Sequence, residues 1–284
     1  MNDSLCVVQF LHPGGEHGPD SENEKGWNRG CHRRKFVVVP GRCLMDDRLE
    51  ETEVAFWGEW EAQSEVEPVP SPVRNGPHWL HRPFFDPPAI YSDHQNTDPF
   101  VFGDQFQYTG CLQHTKYGPT QMRNLSRGSI ILFGSCQHRS VFVIDTVFVV
   151  ANHIDHSLRD FREKLSGRVS ATYEAVTLEP WYARVDSPDR VHRLYYGASF
   201  TDPIDGMFSC FPCLPASRAP HGFARPRVFI SGNITPTLTQ NKKMTCVGTT
   251  AEAKTLWDQV VNQVRVQGLA LGVSAELPKH RRGR

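Results

Sequence analysis

Apolar residues along this chain come in short runs bounded by Gly, Pro and polar residues, the pattern of strands, and a 3.6-residue period shows in only two places. The densest stretch spans residues 128–150. An apolar run at 130–133 is followed by a polar, turn-like segment at 134–140 and by a second run of Val, Ile and Phe at 141–150. This pattern predicts a β-hairpin. Because apolar side chains fill both faces of the second run, the hairpin is expected at the centre of the fold with cover on both sides.

Further strands are predicted at 5–11, at 33–39 with Pro40-Gly41 as its end, at 54–61, 100–102, 106–108, 169–178, 191–200 and 227–230. Two helices are predicted. At 155–165, Leu158, Phe161 and Leu165 share a face, Ser157 and Asp160 have capping-box spacing, and Gly167 follows. At 251–267, Leu256, Val260 and Val264 form a stripe between a Thr249–Glu252 capping box and Gly268. The acidic segment 46–53 reads as a turn of helix, and the Pro-dense segment 65–88 as a long connection. The expected fold is a strand-dominated α+β domain, a β-barrel or strongly curved mixed sheet with a few flanking helices, one of them C-terminal. It occupies residues 1–272, with a Pro-rich insertion near 65–96, before a basic, unstructured tail at 273–284.

Length and composition narrow the class. A chain of 284 residues with 39% hydrophobic content can bury a real core. Its formal net charge of zero leaves any attraction to nucleic acid to local patches. No apolar stretch reaches the roughly 18 residues of a membrane span, and residues 1–6 lack the basic and apolar regions of a signal peptide, so a cytoplasmic protein without membrane association is expected. Eight cysteines without an export signal read as reduced thiols. A serine nucleophile elbow, a dinucleotide glycine fingerprint and a His-Glu-x-x-His helix are all missing.

The candidate chemistry begins at Phe56-Trp-Gly-Glu-Trp-Glu61. Alternation along a strand places Trp57, Glu59 and Glu61 on one face and Phe56, Gly58 and Trp60 on the other. A base could stack on Trp57 or Trp60 while a carboxylate reads its edge, and Glu59 could equally serve as a general acid or base. The competing reading makes the tryptophans core and the glutamates solvated. A second candidate is the turn His12-Pro-Gly-Gly-Glu-His17, where Gly14 and Gly15 expose backbone N–H groups near Cys31 and a basic cluster of Arg29, His32, Arg33, Arg34 and Lys35 that suits phosphate. His12, His17 and Glu16 are also metal-ligand types; a divalent metal is allowed but not favoured, since their spacing matches no strong pattern. Cys210 and Cys213 have knuckle spacing without a second pair and read as ordinary thiols, Cys136 with His138 being one conceivable complement. Asp145 interrupts an apolar strand and must find a partner, as a structural anchor or as a site residue. Asn96, Thr97 and Asp98 precede Pro99 in a turn whose polar groups suit a ligand.

With residues 125–132 leading into the hairpin and 144–150 leaving it, the stretch from about 97 to 153, together with the aromatic strand at 54–61, resembles the PUA-like superfamily of ASCH, EVE and YTH domains. The resemblance implies a small β-barrel with ligand on its open side, binding to RNA or modified bases and, in a few ASCH relatives, hydrolysis. The Gly-x-Lys-x-x-Glu segment of ASCH domains has no counterpart here, so no catalytic residue is carried across. The first functional expectation is a nucleic-acid or nucleotide partner with an unpaired or modified base read by Trp57, Trp60 and Glu59. The alternative is a hydrolase acting on a nucleotide or nucleoside through Glu59 with His12 or His17. A third is a protein-interaction module built on the Pro-rich segment.

Overall fold

The computed structural model describes residues 3–137, 141–230 and 241–281. Its main strands are β1 (Cys6–Leu11), β2 (Lys35–Met45), β3 (Arg48–Gly58), β4 (Ile130–Gln137), β5 (Val141–His156), β6 (His192–Gly197), β7 (Phe211–Pro215), β8 (Asn241–Cys246) and β9 (Ala270–Ala275). One long helix, α1 (Thr250–Val266), comes near the C-terminus. The fold is strand-dominated α+β, as expected.

Two mixed sheets carry it. The first has the order β8, β1, β4, β5, β6, then the short strand Gln107–Tyr108, with β1 parallel to β4 and β4 antiparallel to β5. The hairpin expected at 128–150 is therefore present and central; residues 138–140 of its turn, with His138, lie outside the described residues. In the second sheet β9 bonds both β7 and β2, β7 bonds β3, and β3 bonds β2, so four strands close on themselves. Gly41 permits this closure, because a Cβ there would fall 2.4 Å from the Ser274 carbonyl oxygen.

The central hairpin is apolar on both faces because each face has its own core. Phe133, Phe148 and Val150 pack with Phe10, Phe56 and Trp60; Leu132, Ile144 and Val149 pack with Trp57 and with Trp257, Val260 and Val264 of α1. Helix α1 starts as its sequence predicts: Thr249 Oγ1 accepts the Glu252 N–H, and Glu252 reaches back to the Gly248 N–H at 2.8 Å.

Several local expectations are corrected. Residues 155 and 156 extend β5, because Asp155 and His156 pair with Arg193 and His192 of β6, and helix is confined to Phe161–Lys164. The segment 169–178 is helical despite its β-branched residues: Ser170 caps it, and a π turn at Glu174–Leu178 precedes Pro180. Pro180 has no amide hydrogen for the Val176 carbonyl, which takes the Thr97 N–H at 2.9 Å instead. Residues 46–53 hold a tight turn and strand rather than helix, and β2 runs through Pro40-Gly41 to Met45. The Pro-rich segment contains paired strands at Ser64–Pro68 and Trp79–Pro83. Val273 to Ala275 complete β9 instead of opening a tail, and Arg281 pairs with Glu24 at 2.8 Å. No described helix is long and apolar enough to cross a membrane.

Candidate functional site

The site follows from the register of one hairpin. Strands β2 and β3 pair from Met45↔Arg48 to Lys35↔Gly58 around a two-residue turn at Asp46 and Asp47, whose φ values of 48° and 61° are those of a hairpin turn. Continuing that register past Lys35↔Gly58 sets Arg34 against Glu59 and His32 against Glu61. Both pairs form: Arg34 Nη1 lies 2.7 Å from Glu59 Oε1, and His32 Nδ1 lies 2.8 Å from Glu61 Oε1.

Strand β1 brings the third component. His12 follows its last residue, donates its N–H to the Gly134 carbonyl at 2.7 Å, and pairs through Nδ1 with Glu59 Oε1. Arg34 ties the sheets together there, donating Nη2–H to the His12 carbonyl at 2.5 Å and Nε–H to Asp145 Oδ2 at 2.6 Å. Arg225 takes the rest of Asp145, with contacts of 2.7 Å to each carboxylate oxygen, and reaches Ser135 Oγ at 2.8 Å. Asp145 therefore has no oxygen left for chemistry. It positions Arg34, which in turn positions Glu59.

Glu61 is the second buried carboxylate. Asn28 Nδ2 donates to its Oε2 at 2.5 Å, His17 Nε2 stands 3.9 Å from the same oxygen, and the Glu61 N–H donates to Thr97 Oγ1 at 2.9 Å. Thr97 is held in place by the helical segment after Ser170, since its carbonyl also accepts the Thr177 hydroxyl at 2.6 Å. Burial alone would raise the Glu61 carboxyl, but the imidazoles of His32 and His17 outweigh it and hold the group well below the usual carboxylate range. His32 moves in the matching direction: burial works against its proton, the Glu61 carboxylate prevails, and its pKa rises. His12 and His17 go down, because burial outweighs their carboxylate neighbours. For Arg34, burial is overcome by Glu59 and Asp145, which strengthen its charge.

Two polar atoms in this cluster have neither a hydrogen-bond nor an ion-pair partner among the described residues, His12 Nε2 and Glu59 Oε2. Their side chains are 2% and 3% exposed, so water does not replace the missing partners freely. His32, with a side chain 20% exposed, is the edge of the cluster nearest solvent.

The expected residues separate accordingly. His12, Arg34, Glu59, Glu61, His17, Asp145 and Thr97 are brought together. Trp57 and Trp60 are not stacking platforms: they lie in opposite cores, with their indole N–H groups on the Phe223 and Gln63 carbonyls. The basic cluster divides as strand alternation requires, leaving Arg33 exposed and Arg34 and Lys35 buried, so it offers phosphate no continuous patch. The Lys35 Nζ donates to the Ala62 carbonyl at 2.7 Å, and burial pulls its pKa down to about 7. Asn96 Oδ1 accepts from Arg184 at 2.8 Å, and Asp98 accepts the Thr109 N–H at 2.9 Å while burial raises its pKa, so both are structural. Gly14 is required for closeness rather than for exposed N–H groups, since a Cβ there would fall 2.6 Å from the His32 carbonyl oxygen, whereas a Cβ on Gly15 meets nothing. Glu16 clamps the His78 and Trp79 N–H groups at 2.6 and 2.8 Å, which removes it from a His12–His17 metal set. Cys210 and Cys213 lie in different cores, Cys213 beside Cys43.

Sequence reasoning missed the roles of His32, Asn28 and Arg225. For His32 the signal was available: His32 and Arg34 alternate as Glu59 and Glu61 do, and a two-residue turn at Asp46-Asp47 makes the pairs face each other. Asn28 also lines a groove of about 620 Å3 with Lys25, Trp27, Arg29, Gln63 and His94. A larger groove of about 920 Å3, along Pro40, Arg42, Phe85 and Leu277, lies away from the cluster, and its Arg42 is spent on exposed Asp104.

No protein-family model, no curated protein and no solved structure matches this chain.

Proposed function

We propose that the chain is a hydrolase acting on a nucleotide or nucleoside, with Glu59 as its acid–base residue. The observation that supports this best is the convergence of His12, His32 and Glu59 from three separate segments, with His12 Nε2 and Glu59 Oε2 left without partners. Glu59 accepts a proton as the oxygen of water bonds to the electrophilic carbon or phosphorus. It returns that proton to the leaving group as the old bond breaks. His12 and Arg34 orient the carboxylate, and Asp145 and Arg225 keep Arg34 in place.

The substrate class rests on the groove reached through Asn28. Its volume of about 620 Å3 is within the usual range for ligand sites, and its lining combines Trp27, Asn28 and Gln63 with Lys25, which Asp20 holds at 2.5 Å, Arg29, which stands 3.5 Å from Asp93, and the carboxylate of Asp86. Of these, exposed Arg29, held only at 3.5 Å by Asp93, is the cation best placed to meet a phosphate, with the Trp27 ring as neighbour for a base. The resemblance of the hairpin region to PUA-like domains points the same way. The same groove also supports recognition of an unpaired or modified base without turnover.

Turnover separates the two. A panel of nucleosides, nucleotides and short single strands is incubated with the protein and the products are resolved by chromatography, with thermal shift reporting binding. Hydrolysis of one class is expected, falling about 10²–10⁴-fold in Glu59→Gln with binding retained. Arg29→Ala should weaken binding of the phosphorylated members alone. Binding that depends on Arg29 without product selects the base-recognition reading. Neither binding nor product across the panel overturns both.

A further inference from the structure

We propose that His12, His32 and Glu59 form the three-residue protein half of a zinc site, with a fourth position open to water or substrate. One ligand atom from each residue lies within 4.8 Å of the other two. Ligands on a tetrahedral zinc ion at about 2.0–2.1 Å stand about 3.3–3.4 Å apart, so the widest pair closes by up to about 1.4 Å, a movement that side-chain rotations can supply. Two imidazoles and a carboxylate suit zinc better than magnesium or calcium, which prefer all-oxygen shells.

The surroundings of these three residues are those that a metal requires. The Nδ1 of His32 is engaged by Glu61 at 2.8 Å, which leaves Nε2 as the nitrogen for a metal. Glu61 is itself held by Asn28 and by the contact of its N–H with Thr97. A carboxylate behind a ligating histidine sets the tautomer and the ring orientation, and here that carboxylate has a shell of its own. Glu59 has the complementary arrangement: Oε1 is fixed by Arg34 at 2.7 Å, while Oε2 has no hydrogen-bond partner among the described residues. His12 faces the same carboxylate through Nδ1, the nitrogen that would take the ion in place of the shared proton, and both side chains are more than nine-tenths buried. Arg34, Arg225 and a zinc ion carry four positive charges against three on Glu59, Asp145 and Glu61, so one is left for a hydroxide at the open position. Metal binding displaces the proton shared by His12 and Glu59 and any proton on His32.

This assignment rests on the hydrolytic reading and changes one role in it: Glu59 would hold the ion, and zinc rather than the free carboxylate would activate the attacking water. Its test does not depend on turnover. The full-length protein is treated with a chelator, dialysed and titrated with zinc by calorimetry, then with cobalt(II) as a coloured stand-in. One zinc per chain is expected, with visible cobalt absorption of a low-coordinate nitrogen and oxygen site. His32→Ala, at the exposed edge of the cluster, should lower zinc affinity at least 100-fold without shifting the metal-free melting temperature by more than a few degrees. Glu61→Gln should lower it about 10–100-fold, the usual effect of losing a partner behind a ligand. Cys31→Ser and Cys210→Ser should bind as the parent does. The absence of saturable one-to-one uptake, equal affinity in His32→Ala, or a loss that follows the cysteine variants would each overturn the assignment. Zinc uptake without hydrolysis of any panel member keeps the metal site and removes the hydrolase, and hydrolysis by metal-stripped protein that takes up no zinc does the reverse.

Discussion

Arg34 and Glu59 face each other one residue beyond the end of the β2–β3 ladder, with Nη1 and Oε1 2.7 Å apart and both side chains almost fully buried. The same guanidinium binds Asp145 and the His12 carbonyl. One side chain thus joins the end of β1, the lead-in to β2, the exit of β3 and the middle of β5.

Removing that side chain should be severe. In Arg34→Met, Glu59 loses its cation, and Asp145 keeps only Arg225. Truncating one partner of a buried pair costs about 3–5 kcal/mol, and urea unfolding should show a loss of that size. Arg34→Lys should recover little, because an ammonium cannot serve three directions at once. A loss under 1 kcal/mol in Arg34→Met would show that the network does not hold the sheets together.

The turn over His32 separates packing from freedom. Gly14→Ala places a methyl group 2.6 Å from the His32 carbonyl oxygen, so the turn or the His32 segment must shift. Overpacking of this kind costs about 1–3 kcal/mol, and it should also disturb zinc uptake. Gly15→Ala meets open space and should melt within a degree or two of the parent. Equal behaviour of the two variants would show that the turn does not rest on His32.

Lys35 makes stability depend on pH. Its pKa is lowered from 10.5 to about 7 by burial, so between those values the unfolded chain holds a proton that the native protein has released. Stability should therefore rise as pH increases from 7 towards 10. Buried cysteines and tyrosines with raised pKa values oppose this rise, and they do so equally in a variant. Denaturant melts at pH 7 and pH 9.5 should show that Lys35→Met lacks the Lys35 part of the increment. If the two proteins change in parallel, Lys35 is not buried in its neutral form.

The Asp46-Asp47 turn offers a gain. Both residues have positive φ, which glycine adopts without strain, and a turn with two such residues favours Asn-Gly. Replacing the pair by Asn-Gly should stabilise the hairpin by about 0.5–1 kcal/mol, read as a higher urea midpoint with unchanged slope. A fall in midpoint would mean that the exposed contact of Asp47 with Arg265 at 3.0 Å, which the replacement removes, outweighs the relief of the turn.

Patterns set by neighbours along the chain were legible. The central hairpin, the two-sided core and the C-terminal helix with its caps follow from period, β-branching and local hydrogen bonds, which act over a few residues. The face shared by Glu59 and Glu61 belongs to the same class. The length of β5 and the helical state of the segment after Ser170 were not legible, because pairing with β6 and docking of Thr97 on the Val176 carbonyl outweigh local propensity.

Site composition lies between these cases. The alternation of His32 with Arg34 and of Glu59 with Glu61 is in the sequence, and the register that opposes them follows once a two-residue turn is placed at Asp46-Asp47. The arrival of His12 and the burial of Trp57 and Trp60 depend on how the two sheets meet, as does the use of both Asp145 oxygens by Arg34 and Arg225. Buried carboxylates and guanidinium groups are stable only when paired, and the partners here stand up to 111 residues apart in the chain. No local pattern encodes such a distance, so the tertiary structure alone decided that His12, Asp145 and Arg225 join the pairs that the hairpin register sets.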